Sequence, residues 1–401
     1  MKRRVAALLF VLCTGISFGF FTGWDYRLLH FNAVVADTHN DVLQRAMNGE
    51  DLSLRTTKGH SDLERMKEGG VDIEMFSIWA PPDKIPHSYE YANALIDSLE
   101  YLVRRNSDKV GMALNTKQVH ALVQDGKIAA LMGMEGAHPI EDSVFDEEIE
   151  LQKLDHFYTR GIRYMTLTWN NSVRWATSAK DETDTAMQIS QKGLTTFGEK
   201  IVRRMNKLGM MIDVSHVGEK TFADVMRVST KPVIASHSSV YNICPHRRNL
   251  KNEQIQAIAK RGGVVFINFF SGFLDSTYLR KEKILRERHQ KEIDSLKAQE
   301  GEHWSEHEHT IVAQHQQEFE AIRPPLSLLI DHIDYVAKLV GTDHVGLGSD
   351  FDGVGSLPKE MDDVTFLPNI TRELLVRGYS ENDIRKILGG NFLRVFKQVC
   401  G

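Results

Sequence analysis

The feature that most constrains this chain is an eightfold alternation of short apolar runs with longer amphipathic stretches. The runs fall at Val34–Thr38, Asp72–Ile78, Ala129–Met134, Arg163–Thr168, Met210–Ser215, Pro232–Ser236, Gly263–Phe269 and His344–Ser349. Segments such as Gly198–Leu208 and Leu326–Val340 lie between them. Strands separated by helices build parallel sheets, because a parallel connection needs a crossover. Eight such units predict an α/β fold, a (β/α)8 TIM-like barrel. A doubly wound open sheet is the competing arrangement. No G-x-G-x-x-G follows any of the runs, which weakens its dinucleotide-binding form.

A barrel needs only about 250 residues, so a chain of 401 carries additions. One is the segment from Asp275 to Arg323, dense in Lys, Arg, Glu, Gln and His. It reads as a charged helical insertion between strands 7 and 8, divided by Gly301 and stopped by Pro324-Pro325. His303 and His307 are spaced to share one helix face, but their charged surroundings read as solvated surface and place them outside the site. The other addition is the N-terminus. Met1-Lys2-Arg3-Arg4 precedes an apolar run from Val5 to Phe21, which at roughly 25 Å falls short of the ~30 Å hydrocarbon core. Residues 1–19 therefore read as a signal peptide with Ser17-Phe18-Gly19 at the cleavage site, or as a retained N-terminal anchor. Residues 33–401 form the barrel domain. Both readings put the protein outside the cytoplasm, in the periplasm or attached to a membrane through its N-terminus. Cys13 belongs to the leader, which leaves Cys244 and Cys400 as a candidate pair. With 54 acidic against 49 basic residues there is no basic excess, and nucleic acid is excluded as a partner. A homodimer is left open.

The chemistry gathers at strand ends. Asp37-Thr38-His39-Asn40-Asp41 closes the first strand, and alternate residues share a face, so His39 and Asp41 can both reach the barrel mouth. Glu135 ends strand 3, His216 strand 5, His237 strand 6 and Asp350 strand 8. One H-x-D or one terminal histidine carries little weight alone. Six such side chains on five strand ends converge where barrel active sites lie. Buried carboxylates need positive partners. An imidazole and carboxylate donor set suits zinc, manganese or iron better than a thiolate-seeking metal. The donors outnumber the three protein ligands of a single catalytic zinc, so two metals bridged by a carboxylate is the economical arrangement.

These motifs resemble the membrane (renal-type) dipeptidases, a family of dinuclear-zinc metallopeptidases. His39-Asn40-Asp41, Glu135-Gly136-Ala137-His138, Asp213-Val214-Ser215-His216, Ser236-His237-Ser238-Ser239, Arg247-Arg248-Asn249 and Gly348-Ser349-Asp350-Phe351-Asp352-Gly353 occur in the family's order. The run from Gly389 to Phe396 is similar to its C-terminal signature. The resemblance implies two Zn2+ per chain, other divalent metals being an alternative. His39 and Asp41 would hold one ion, His216 and His237 the other, and Glu135 would bridge them. Arg248 matches the arginine that binds the carboxylate of a dipeptide substrate. Asp350 matches the acidic residue that handles the proton at the scissile amide. The implied reaction is hydrolysis of dipeptides by a hydroxide formed between the metals, with Glu135 and Asp350 as the catalytic carboxylates. Asp37 is either a support for His39 or a plain structural carboxylate.

One position departs from the family. Trp169 stands where well-studied members carry a histidine that polarises the substrate carbonyl. An indole N–H can donate a hydrogen bond but cannot become a cation. Asn170 and Asn171 are alternative donors, and His138 is a further imidazole nearby. Two other functions compete: a different dinuclear-metal amidohydrolase or esterase on the same barrel, and a catalytically weakened binding protein. Arg248 argues against the first, since a neutral substrate has no use for it. Retention of every ligand type argues against the second.

Overall fold

The computed structural model describes residues 25–187, 189, 191–300 and 310–401. The leader, Cys13, Gly301, His303 and His307 lie outside the described residues. Nine strands are present among those described: β1 (Ala36–Asn40), β2 (Ile73–Trp79), β3 (Val110–Met112), β4 (Ile128–Glu135), β5 (Ile162–Thr166), β6 (Met211–Asp213), β7 (Val233–Ser238), β8 (Val264–Ile267) and β9 (Val345–Leu347). All pair in parallel, in the order β1-β2-β4-β5-β6-β7-β8-β9. The eight expected strands thus make the barrel wall. The addition is β3, which lies off this path and pairs with β4.

Nearly every strand residue is buried, as expected when helices cover one face of a parallel sheet and side chains fill the other. The helices follow their sequence signals. Thr195 accepts a hydrogen bond from the Gly198 amide to start the helix Thr196–Leu208, and Gly209, at φ 81°, ends it. Its buried residues Phe197, Ile201, Val202 and Met205 lie on one face. The C-terminal helix Asn391–Cys400 has a different task. Phe392, Val395, Phe396 and Val399 pack on Ala36, Ile73, Ala129, Met211, Ile234 and Val264. These lie at or next to the first residue of their strands, so the helix plugs the end of the barrel away from the strand C-termini.

The wall is stitched shut largely by side chains. Between β1 and β9 only Asn40 and Phe351 form a bridge, with Asp41 N donating to Phe351 O (2.8 Å) and Asp350 N to His39 O (3.0 Å). The Asp37 carboxylate accepts from the Ser349 amide (2.8 Å), the Ser349 hydroxyl and the His39 amide (3.3 Å). Thr38 Oγ1 donates to Ser236 O (2.6 Å) across the barrel. Asp37 therefore supports the seam and the backbone of His39, not its imidazole.

The segment after β8 contains the helices Tyr278–Arg288, Gln290–Glu300 and Gln316–Ile322. A break at His289 separates the first pair, where the sequence suggests one continuous helix. Leu285, Ile293, Ile311 and Phe319 form a small apolar cluster separate from the barrel core. Cys244 and Cys400 are free thiols, not a pair. Cys244 faces Gly272 O and Cys400 faces Arg163 O.

The seam yields the first prediction. Asp37→Ala strands two buried amides and a hydroxyl, and should lower the unfolding free energy by about 3 kcal/mol. Ser349→Ala should cost about 1 kcal/mol. Denaturant midpoints of both variants check this, and an unchanged midpoint for Asp37→Ala would show that backbone pairing alone closes the barrel.

Candidate metal centre

The six predicted residues meet at the C-terminal ends of the strands, and all are buried. They arrive by different routes. His39, Glu135 and His237 are strand residues of β1, β4 and β7, and Asp41 lies one residue beyond β1. His216 and Asp350 lie three residues beyond the ends of β6 and β9, which stop earlier than the apolar runs suggest. Both take left-handed backbone, with φ 65° and 64°. For a side-chain-bearing residue that conformation costs of order 1–3 kcal/mol and marks a position held by its surroundings. Gly353 explains one such pressure. A Cβ there would stand 2.1 Å from Asp41 Oδ2 and 2.5 Å from Asp350 Oδ1, so the turn after β9 can approach these carboxylates only with glycine.

Glu135 is the centre of the cluster. Its Oε1 lies 2.9 Å from His216 Nε2 and 3.5 Å from His237 Nε2, while Oε2 lies 3.6 Å from His39 Nε2. His39 Nε2 is also 3.3 Å from Asp41 Oδ2 and 4.0 Å from Asp350 Oδ1. Three imidazoles therefore flank one carboxylate from two sides. Burial pushes Glu135 up to about 7 and Asp350 up to about 6, against the lowering effect of His39. Burial also holds His216 and His237 well below the ordinary imidazole range.

The hydrogen bonds decide which ring nitrogens are free. Tyr164 donates its hydroxyl hydrogen to Thr38 O (3.1 Å), so at 2.7 Å from His39 Nδ1 it accepts. Ser236 donates to Asp213 Oδ2 (2.6 Å), so at 2.8 Å from His237 Nδ1 it accepts as well. Burial lowers His39, but Tyr164, Asp41 and Glu135 together hold it well above the ordinary imidazole range, while the Nε2 of His237 carries a lone pair aimed at Glu135. That arrangement is repulsive unless a positive charge lies between. His39 Nε2 and Asp41 Oδ1 are buried without a hydrogen-bond partner, which buried polar atoms rarely tolerate. A metal ion satisfies both demands, and the ligand atoms lie close enough together: His39, Glu135 and His237 form one such group, and His39, Asp41 and Asp350 another.

Arg248 sits beside this cluster, buried, with its guanidinium over the Phe273 ring. Nη2 donates to His237 O (3.2 Å), which ties it to β7, and Nε has no partner. Burial lowers it to about 10, opposed by Asp350 and Glu135, so it stays cationic at neutral pH. A cavity of about 240 Å³ reaches from His216 past Arg248 to Tyr241 and Lys192.

The sequence profile of the membrane dipeptidases (peptidase family M19) matches residues 25–400. The chain belongs to this family. Dipeptidase 3 of Mus musculus is 30% identical over 372 residues, covering 91% of this chain but only 64% of its own length. The chain thus spans less than two thirds of that relative. The crystal structure of the probable dipeptidase PvdM from Pseudomonas aeruginosa superposes with a TM-score of 0.76 at 28% identity, covering 94% of this chain and 97% of that one. A Rhodobacter sphaeroides metallopeptidase, solved with a phosphinate mimic of the dipeptide L-Ala-D-Ala, shares the fold with a TM-score of 0.72 at 24% identity, covering 92% of this chain and 100% of its own.

Within this member of the family, the position that departs from the pattern lies at the site. The Trp169 ring centroid is 6.3 Å from that of His216 and 5.1 Å from that of Trp79, which ends β2. The main-chain carbonyl of Asn170 accepts from Ser178 Oγ, and Asn171 Nδ2 reaches Ser172 O (3.4 Å). His138 stands outside the centre. Its Nε2 pairs with Ala80 O (2.9 Å), and burial lowers it to about 4.

Sequence reasoning missed the supports. Tyr164 holds His39, Asp213 holds Ser236 and through it His237, and Asn268 Nδ2 donates to Asp350 Oδ2 (2.8 Å). Only Asp213 left a signal, as a carboxylate in a buried strand three residues before His216. Removing such a partner typically costs 10–100-fold in metal affinity. Tyr164→Phe should therefore weaken metal retention by about that factor, measured by competition with a chelator. Unchanged retention would mean that the hydroxyl only fills space.

Proposed function

We propose that this chain is a metal-dependent dipeptidase that binds two zinc ions and cleaves the peptide bond of dipeptides. The observation that carries the reading is Glu135, with one oxygen toward His216 and His237 and the other toward His39. His39 and Asp41 would hold one ion, His216 and His237 the second, with Glu135 between them. Bound there, the ions would polarise the scissile carbonyl and make a water acidic enough to attack at neutral pH.

The chain's own side chains do the rest. Arg248, a planar and permanently charged fork, takes the free carboxylate of the substrate and sets its register against the cluster. Asp350, oriented by Asn268, accepts the proton of the attacking water. It returns that proton to the amide nitrogen as the C–N bond breaks, releasing two amino acids. Trp169 packs on Trp79 beside His216, and its indole N–H is the donor for the substrate carbonyl where other members use a histidine. The cavity volume and a buried cation for the terminal carboxylate favour short peptides. The basic, apolar leader supports export, to the periplasm or to a membrane surface. Among the described residues no helix is long and apolar enough to cross a membrane.

Metal analysis together with a dipeptide panel tests the reading. Glu135→Ala should lose most of its catalytic metal and its peptidase activity, whereas full occupancy in that variant would overturn the bridging assignment. Arg248→Ala should lower kcat/KM for a free dipeptide by about 100-fold, or roughly 3 kcal/mol, while an amidated dipeptide is cleaved at a nearly unchanged rate. Equal losses on both substrates would make the arginine structural.

A further inference from the structure

The cavity of about 240 Å³ beside Arg248 is lined by more charge than the proposed reaction uses. Arg248 shares it with Lys192, Arg247 and Lys251, and with the carboxylates of Glu182 and Glu219. Both carboxylates are already engaged. Glu219 pairs with Lys251 Nζ (2.6 Å), and that ammonium also lies 5.5 Å from the centre of the Tyr241 ring. Glu182 accepts from the Thr177 hydroxyl (2.5 Å) and from the Lys220 amide (3.0 Å). It packs closely on Gly218, where a Cβ would stand 2.0 Å from the Glu182 Cδ. These contacts fix Glu182 to the neighbouring loop.

Two further cations are without an acidic partner. Lys192 Nζ donates to the main-chain carbonyl of Glu182 (2.7 Å), and neither Lys192 nor Arg247 has a carboxylate partner among the described residues. Both side chains are exposed and come from separate segments, Lys192 ahead of the helix Thr196–Leu208 and Arg247 in the loop after β7. Arg248, at the end of the cavity nearest the metal ligands, is buried and its Nε is unpartnered. The cavity therefore carries a positive excess that begins at the carboxylate clamp and continues away from the metals.

We propose that this cavity receives the side chain of the substrate's C-terminal residue and selects dipeptides that end in aspartate or glutamate. The inference rests on the dipeptidase reading and adds the substrate class. Its geometry follows from one carbon atom. The α-carbon of the C-terminal residue bears the carboxylate, the scissile nitrogen and the side chain. With the carboxylate on Arg248 and the nitrogen directed to the metal ligands, the side chain is the substituent left to enter the rest of the cavity. There it meets Lys192 and Arg247. A second carboxylate supplies the negative charge that Glu182 and Glu219 do not, and the Arg247 guanidinium offers it a planar fork. Exposed charge pairs contribute little singly, so the two together should favour an acidic over a neutral side chain by about tenfold.

Steady-state kinetics of the metal-loaded, full-length enzyme on alanyl-glutamate and its isostere alanyl-glutamine test this. The wild type should show a kcat/KM about tenfold higher for alanyl-glutamate, carried mainly by KM, because the contact is made in the ground and transition states alike. Lys192→Gln/Arg247→Gln should bring the ratio near one, and salt at about 0.5 M should shrink it in the wild type. Lys220→Gln removes an equal charge from a side chain that pairs with Asp224 outside the cavity, and should keep the ratio. A ratio near one in the wild type, or one unchanged in the double variant, would overturn the proposal. Failure of the dipeptidase reading looks different, since neither dipeptide is then cleaved. In that event calorimetry with phosphinate mimics of the two dipeptides decides, because it needs binding alone. Tighter binding of the glutamate mimic, lost in the double variant, supports the cavity's selectivity, and equal or no binding overturns it.

Discussion

A carboxylate shared by three imidazoles and shielded from water sets the terms for the whole upper end of this barrel. Glu135, Asp41 and Asp350 are buried together, with His39 within 4.0 Å of each. Three acidic groups in so small and dry a space repel one another. Burial and mutual repulsion push Glu135 and Asp350 upward. Positive charge among them, from His39 or a bound cation, would offset that repulsion. This requirement explains why the barrel tolerates left-handed backbone at His216 and Asp350, and why glycine is needed at Gly353.

The same requirement organises the residues behind the ligands. Asp213 gathers the amides and hydroxyls of Ser215 and Ser236 and the hydroxyl of Thr166, and so fixes the tautomer of His237. Tyr164, tied to Thr38 O, holds the Nδ1 edge of His39 from the barrel interior. Asp37 acts one step further out, locking β1 to the segment after β9. The ladder between these two segments is a single bridge. Closure of the wall and placement of His39 and Asp350 are therefore one structural event, since Asp350 N donates to His39 O.

The two ends of the molecule solve different problems. At the strand N-termini an apolar helix seals the barrel with Phe392 and Phe396, packing carbon against carbon. At the strand C-termini polar groups crowd together and leave atoms unsatisfied. The insertion has its own small apolar cluster apart from the barrel core, with Leu285, Ile293, Ile311 and Phe319 buried in it.

Periodicity in the sequence determined the architecture, because a strand buried on both faces must be a short apolar run and a covering helix must be amphipathic. All eight wall strands were legible for that reason. The short β3 was not, since three residues with a central glycine carry no pattern. Local order also determined the ligand candidates, because metal chemistry needs imidazoles and carboxylates and these stood at the ends of the runs. What tertiary structure alone decided was orientation. Strand parity placed Asp37 with His39, yet a shift in register between Asp37 and Asn40 turned Asp37 to the seam. Nothing local to Tyr164, Asn268 or His289 announces the contacts they make, because each partner comes from a distant stretch of the chain or from the far side of a helical break. Direction in space is set by closure of the barrel and by packing, and neither is written in the order of neighbouring residues.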